Sequence, residues 1–118
     1  MAKQIPRQSI TCAATGTTEV AGSAISANKG VISGILCMVK VVTPDVNSIT
    51  FTIRLYDRNA VLLWQSAALA ENSGAAGYAI PVNIPLTEKE YFSAQASGTV
   101  GTGGTVTIDG DYLPSDGM

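Results

Sequence analysis

The alternation of apolar and polar side chains in residues 48–66 (SITFTIRLYDRNAVLLWQS) constrains the fold more than any other feature. From position 49 to 56 every second side chain is apolar, namely Ile49, Phe51, Ile53 and Leu55. A period of two residues is that of a β-strand with one buried face. Asp57 and Asn59 then favour a turn, because their short side chains bond nearby backbone groups. A second apolar run follows at 61–64, so the segment predicts a β-hairpin with a loop of three or four residues.

Further segments with strand character, separated by turns, run along the chain. They are 9–14 and 18–26, the strongly β-branched 31–42, an edge strand at 78–84 that contains Pro81, and strands at 91–97 and 105–113. Seven or eight short strands without an internal repeat predict an all-β fold, a single β-sandwich or jelly-roll-like domain of antiparallel strands over 9–118. Residues 1–8 are polar and predict a flexible N-terminal arm, or one that reaches a neighbouring subunit.

Residues 31–42 (VISGILCMVKVV) are largely apolar on both faces of the predicted strand. In a two-layer sandwich only one face of a strand meets the core, so the other needs a cover from a loop, another subunit or a partner. A bulge at Gly34 that switches the two faces is an alternative. If the even positions face outward, they form a possible interface that consists of Ile32, Leu36, Met38 and Val42.

The chain is poor in charge. Charged residues make up 14% of the 118 positions, against roughly 25% in typical soluble domains. Hydrophobic residues make up 46%, so the surface is either rich in neutral Ser and Thr or carries exposed aliphatic patches, which mark interfaces. The net charge of −2 gives no electrostatic argument for binding nucleic acid or an anionic membrane.

The two cysteines, Cys12 and Cys37, lie in apolar runs, where a free thiol behaves as a small hydrophobic group. Their spacing leaves a disulfide open. We predict reduced thiols, because the N-terminal MAKQIPRQ is not followed by the apolar stretch of a secretory signal. No stretch is apolar for the roughly 18 residues that a transmembrane helix needs. The chain is therefore predicted to be made in a cytoplasm.

The sequence contains no histidine, which excludes Ser-His-Asp and Cys-His catalysis and the usual zinc sites. Asp109 and Asp111 would share one face of a strand, and paired carboxylates can hydrolyse glycosides or bind calcium. Such an enzyme needs a cleft lined with aromatic residues, yet aromatic residues make up only 6% of the chain. We predict a solvated strand face there, with no catalytic residue, no cofactor and no metal site.

Two further patterns have competing interpretations. The aromatic side chains offer a possible sugar-stacking platform, the candidates being Tyr56, Trp64, Tyr78, Tyr91 and Tyr112. Trp64 follows Leu62 and Leu63, which favours the core or an interface over an exposed shelf. The sequence TEKE at 87–90 fits a capping box with one helical turn, or a turn before the next strand.

The order of these features resembles small all-β structural proteins of tailed bacteriophages. The resemblance covers residues 45–113 and lies in strand order and composition rather than in a fixed motif. It is carried by the hairpin ITFTIRLYDRNAVLLWQS, the connection AALAENSG, the lead IPLTEKEYF and the Gly/Thr-rich final hairpin SGTVGTGGTVTIDGDYL. Proteins of this kind include the cement or decoration proteins of capsids, which have β-sandwich or jelly-roll folds. No binding residue can be carried over from them.

The resemblance implies a structural virion protein, not an enzyme, that stabilises the capsid shell. It would do so as a homo-oligomer in contact with the major capsid protein, without binding nucleic acid or membrane. A tail, neck or head-fibre module of a phage is the first alternative. A small carbohydrate-binding module is the second, and a hydrolase that uses Asp109 and Asp111 is the third.

Overall fold

The computed structural model describes residues 3–13, 15–25, 34–46, 48–87, 89–100 and 104–114. These ranges contain ten β-strands. The strands are β1 (Lys3–Gln4), β2 (Gln8–Thr11), β3 (Val20–Ala24), β4 (Gly34–Val42), β5 (Thr50–Tyr56), β6 (Leu62–Gln65), β7 (Leu69–Ala70), β8 (Tyr78–Leu86), β9 (Tyr91–Ala96) and β10 (Thr105–Pro114). Within these ranges there is no helix with the length and apolar character needed to cross a bilayer.

The strands form two antiparallel sheets of five strands each, packed face to face, which confirms the predicted all-β sandwich. In the first sheet β10 pairs with β1 and β2 on one side and with β4 on the other, and β4 pairs with β8. In the second sheet β9 lies between β3 and β5, and β5 pairs with both β6 and β7. Since β1 and β2 share one edge of β10, and β6 and β7 share one edge of β5, each pair occupies one strand position. The sandwich therefore has eight positions, within the predicted range of seven or eight.

The order of these eight positions is that of a jelly roll. Numbered along the chain, the first sheet has the order 1-8-3-6 and the second has the order 2-7-4-5. The pairs 1 with 8, 2 with 7, 3 with 6 and 4 with 5 are nested, as in one long hairpin that has been rolled up. The local sequence patterns left sandwich and jelly roll open, because this nesting is set by pairings between distant parts of the chain.

The predicted central hairpin is confirmed as β5 and β6. Phe51, Ile53 and Leu55 are fully buried between the sheets, and the residues between them face outward. Asp57 closes the loop, because its Oδ1 accepts hydrogen bonds from the backbone N–H groups of Asn59 and Val61 at 2.8 and 2.9 Å. The turn chemistry and the strand alternation thus agree on one register.

A bulge in β4 explains why this strand is apolar on both faces. Met38 pairs with Asp111 of β10 and Leu36 pairs with Tyr112, so Cys37 has no counterpart on β10. Before the bulge the even residue Leu36 faces the core, and after it the odd residues Val39 and Val41 do so, all three fully buried. A switch of faces was one of the alternatives, at Gly34, and it occurs three residues later, at Cys37.

Residues 3–8 belong to the sandwich and do not form the loose arm predicted from sequence. Lys3 pairs with Tyr112 of β10. The backbone N–H of Ile5 donates to the carbonyl oxygen of Gly110 at 3.0 Å, and the Ile5 side chain is only 3% exposed. The mostly polar composition of this segment gave no indication that one side chain, Ile5, is buried and holds the segment at the edge of the sheet.

The described residues of the TEKE sequence, Thr87, Lys89 and Glu90, lie in the connection between β8 and β9 and are not helical, which favours the second of the two predicted interpretations. Glu90 is buried, and its Oε2 accepts hydrogen bonds from the backbone N–H and the hydroxyl of Thr87 at 3.0 and 2.9 Å. This is the contact of a capping box. Lys89 has a φ of 61°, a left-handed conformation that does not continue into a helix.

The backbones of β10 and β4 approach each other closely at Gly110. A Cβ atom on Gly110 would stand 2.2 Å from the carbonyl oxygen of Met38. Only a residue without a side chain permits this spacing, since the atom in the way belongs to the backbone.

We expect Gly110→Ala to lower the free energy of unfolding by about 2–3 kcal/mol, because overpacking here must move a central strand. Gly98→Ala is the matched control, since its Cβ would meet only the Ile49 side chain, at 3.3 Å. Urea denaturation of the two variants measures both effects. Equal losses would show that the β10–β4 spacing is not the limiting contact.

Candidate functional site

The outer face of the second sheet carries a hydrogen-bonded cluster centred on Arg54. Its Nε donates to Oε1 of Gln65 at 2.9 Å, and its Nη1 donates to Oε1 of Gln95 at 2.7 Å. The same Nη1 lies 3.5 Å from Oε1 of Glu19. Arg54 is at an outward position of β5, with β6 and β9 on either side, so strand alternation brings these groups together.

Beside this cluster lies a shallow cleft of about 290 Å³, called here the tyrosine cleft, lined by Glu19, Ala21, Tyr56, Ala60, Tyr91 and Ser93. Tyr56 and Tyr91 are cross-strand partners, and their rings stack with centroids 5.4 Å apart and an interplanar angle of 22°. Oε2 of Glu19 accepts a hydrogen bond from the Tyr56 hydroxyl at 2.6 Å and another from the hydroxyl of Ser93. The cleft thus combines aromatic walls with one fixed carboxylate.

The contacts of Glu19 set the protonation states of the cleft. Burial alone would raise the pKa of Glu19, but hydrogen bonds from Ser93 and Tyr56 and the charge of Arg54 outweigh burial and lower it. The hydrogen bond to Glu19, with smaller effects from burial and from the charge of Glu19, raises the pKa of Tyr56. At neutral pH Glu19 is therefore ionised and balanced by Arg54, while Tyr56 keeps its proton.

Asp109 and Asp111 lie on the outer face of the other sheet, each beside a cation. Oδ2 of Asp109 is 3.4 Å from Nε of Arg7, and Oδ2 of Asp111 is 3.6 Å from Nζ of Lys40. Each of the two carboxylates is thus partly neutralised by its cationic neighbour. Within the described ranges no three acidic, cysteine or histidine side chains converge as metal ligands.

The predicted interface residues of 31–42 do not form one surface. Leu36 belongs to the core, because the bulge at Cys37 turns it inward. Met38 and Val42 are half-buried on the outer face, and Ile32 lies outside the described residues. A Cβ atom on Gly77 would stand 2.9 Å from Cγ2 of Val42, so the connection before β8 covers this end of the strand.

Among the residues that the structure describes, the most exposed large apolar side chains lie on the central hairpin. Val61, Leu62 and Leu63 are 56%, 48% and 40% exposed, and together they are called here the β6 patch. Trp64, the next residue, is half-buried and packs against the core rather than forming a shelf. The uninterrupted apolar run at 61–64 could have indicated this exposed surface in the sequence, because a strand of a sandwich can bury only one of its two faces.

Cys12 and Cys37 are not joined in a disulfide, and Cys12 is buried while Cys37 is half-buried. Burial raises the pKa of the Cys12 thiol, which keeps it protonated and unreactive at neutral pH. Cys37, the extra residue of the β4 bulge, directs its Sγ to the carbonyl oxygen of Asp111 at 3.3 Å. Both cysteines therefore act as packing groups.

No protein-family model and no curated protein matches the chain. Two surface features at the second sheet, the tyrosine cleft and the β6 patch, are the candidates for a functional role.

We expect Glu19→Gln to reduce the free energy of unfolding by about 1 kcal/mol at pH 7. Because folding lowers the pKa of Glu19, its contribution is present above the unfolded value of about 4.3 and is lost as the pH falls through the folded value. Folding raises the pKa of Tyr56, so the contribution of its proton is lost as the pH rises above about 10. Urea denaturation of the native chain and the variant between pH 3 and pH 11 measures the difference.

The exposed acid Asp45 supplies the control, since Asp45→Asn removes a charge away from the cluster. The stability difference between native chain and Glu19→Gln should shrink at both ends of the pH range. A difference that stays constant with pH would contradict the assigned contacts.

Proposed function

We propose that this chain is a structural protein of a bacteriophage virion, a cement or decoration protein that stabilises the capsid shell. It would attach through self-association and through contacts to the major capsid protein. The observation that carries the proposal is the β6 patch, an aliphatic surface on a jelly roll that has few charges elsewhere. Exposed apolar patches of this kind are typical of protein interfaces.

The size of the β6 patch favours attachment in many copies. Three adjoining side chains that are about half exposed present at most a few hundred Å². A stable interface buries about 800 Å² on each partner, so this patch alone would give a weak contact. A capsid offers many equivalent positions, and several weak contacts on one lattice hold much more strongly than each does alone.

The described sheet edges favour contacts between side chains over unlimited strand addition. Pro81 and Pro85 lie on the edge strand β8, where a proline cannot donate the hydrogen bond that a further strand would need. The edge strand β6 is short, and Leu63 forms a bulge opposite β5. Both devices suppress edge-to-edge aggregation. This suits a protein that must bind at one place without polymerising.

The fold and the net charge are also compatible with the proposal. Jelly rolls occur in viral capsids, in lectins and in cupins, so the fold alone does not choose among these roles. The net charge of −2 favours a protein partner over nucleic acid or an anionic membrane. A tail, neck or head-fibre position would use the same surface, and the virion component that retains the protein distinguishes these positions.

We expect the double change Leu62→Ser and Leu63→Ser to abolish self-association and capsid binding while the chain stays folded. Both side chains are exposed, so the loss of folding stability should stay within about 0.5 kcal/mol per residue. Leu113→Ser is the matched control, because Leu113 is 38% exposed on the other sheet. Light scattering at low and high salt measures self-association, and co-sedimentation with capsids from the same genome measures attachment.

A native chain that is monomeric and does not sediment with capsids would overturn the proposal. Loss of binding in the Leu113→Ser control alone would move the attachment surface to the first sheet.

A further inference from the structure

We propose that the tyrosine cleft is a binding site for a neutral saccharide. The inference goes beyond attachment to a shell and does not depend on it, because the cleft and the β6 patch adjoin at Tyr56 and Leu62 but consist of different residues. It rests on three properties of the cleft: aromatic walls left uncovered by small neighbours, a carboxylate held in place, and a balance of charge.

The walls of the cleft suit the apolar C–H face of a sugar ring. Tyr56 and Tyr91 stack on each other and are half-buried. Two of the other residues that line the cleft are small, namely Ala21 on β3, which pairs with Ser93, and Ala60 in the hairpin loop, while the partner of Tyr56 on β6 is Leu62. These alanines leave aromatic surface uncovered, and a tyrosine that is apolar along its ring and polar at its tip is suited to amphipathic ligands.

The polar groups of the cleft suit hydroxyl groups. Glu19 is fixed by the hydroxyls of Tyr56 and Ser93 and by Arg54, so binding need not order its side chain. A carboxylate has about four lone-pair positions, and these contacts leave acceptor capacity for a ligand hydroxyl. The Tyr91 hydroxyl has no hydrogen-bond partner among the described residues and can donate or accept. Ser93, which is 1% exposed, is a positioning residue that acts through Glu19.

Charge and size narrow the class of ligand. The negative charge of Glu19 lies at the cleft and is balanced by Arg54, so no net positive charge attracts a phosphate or a carboxylate. A neutral, hydroxyl-rich ligand avoids the repulsion that an anion would meet at Glu19. The volume of about 290 Å³ lies at the lower end of the roughly 300–1,000 Å³ of ligand pockets. We therefore infer a terminal sugar residue rather than a long chain segment.

The test is an array of neutral and anionic bacterial oligosaccharides, probed with the full chain and with three variants. Ala21→Phe fills the cleft without removing any of its contacts, Tyr91→Ala removes a wall, and Ala79→Phe adds the same bulk on the exposed strand β8 as a control. The native chain and the control should bind at least one neutral oligosaccharide. Both cleft variants should bind it at least tenfold more weakly, with unchanged circular dichroism.

Three results would overturn the assignment. They are no binding to any neutral oligosaccharide, a preference for anionic ones, or undiminished binding by Ala21→Phe. If Tyr91→Ala fails to fold, Ala21→Phe decides, because it leaves the stacked pair intact. The capsid assay of the β6 patch uses other residues, so failure of either proposal can be told from failure of the other.

Discussion

The antiparallel ladder between β4 and β10 is the contact on which the first sheet depends. On its other side β10 also holds β1 and β2, so the first, third and last strand positions of the roll meet around one strand. Gly110 lies where the two backbones leave no room for a side chain. Strands that are this far apart in the sequence can pair only after a very long loop has closed. The entropic cost of this closure is typical of β-sandwiches.

The sequence predicted those parts of the fold that depend on neighbouring residues. The period of two in residues 49–56 identified the buried face of β5, and Asp57 identified its turn. The faces of β4 could not be assigned in the same way, because the bulge at Cys37 is set by register with β10, about 70 residues further along the chain. The anchoring of Ile5 was hidden for the same reason, since its hydrogen bond goes to Gly110.

The candidate site, like the fold, was predictable from the sequence only in part. Tyr56 and Tyr91 were among five aromatic candidates, but only the pairing of β5 with β9 shows that these two stack. Glu19 carried no signal, because it lies outside any motif, within the predicted strand segment 18–26. Arg54 had a partial signal, since the alternation placed it outward on a strand otherwise rich in apolar residues. Local patterns thus cannot reveal a site built from several strands, whereas the apolar run at 61–64, of which residues 61–63 are exposed, was visible in the sequence.

The buried thiol of Cys12 gives this jelly roll a built-in reporter. Cys12 follows β2 at the edge of the first sheet, its backbone N–H donates to the carbonyl oxygen of Gly104 at 3.0 Å, and its side chain is 4% exposed. A thiol reagent can reach it only when this edge separates from β10. The rate of labelling therefore measures the free energy of local opening, separately from global unfolding. Cys37 lies on β4, on the other side of β10, and is half-buried, so the labelling of Cys12 can be compared with that of a more accessible thiol in the same sheet.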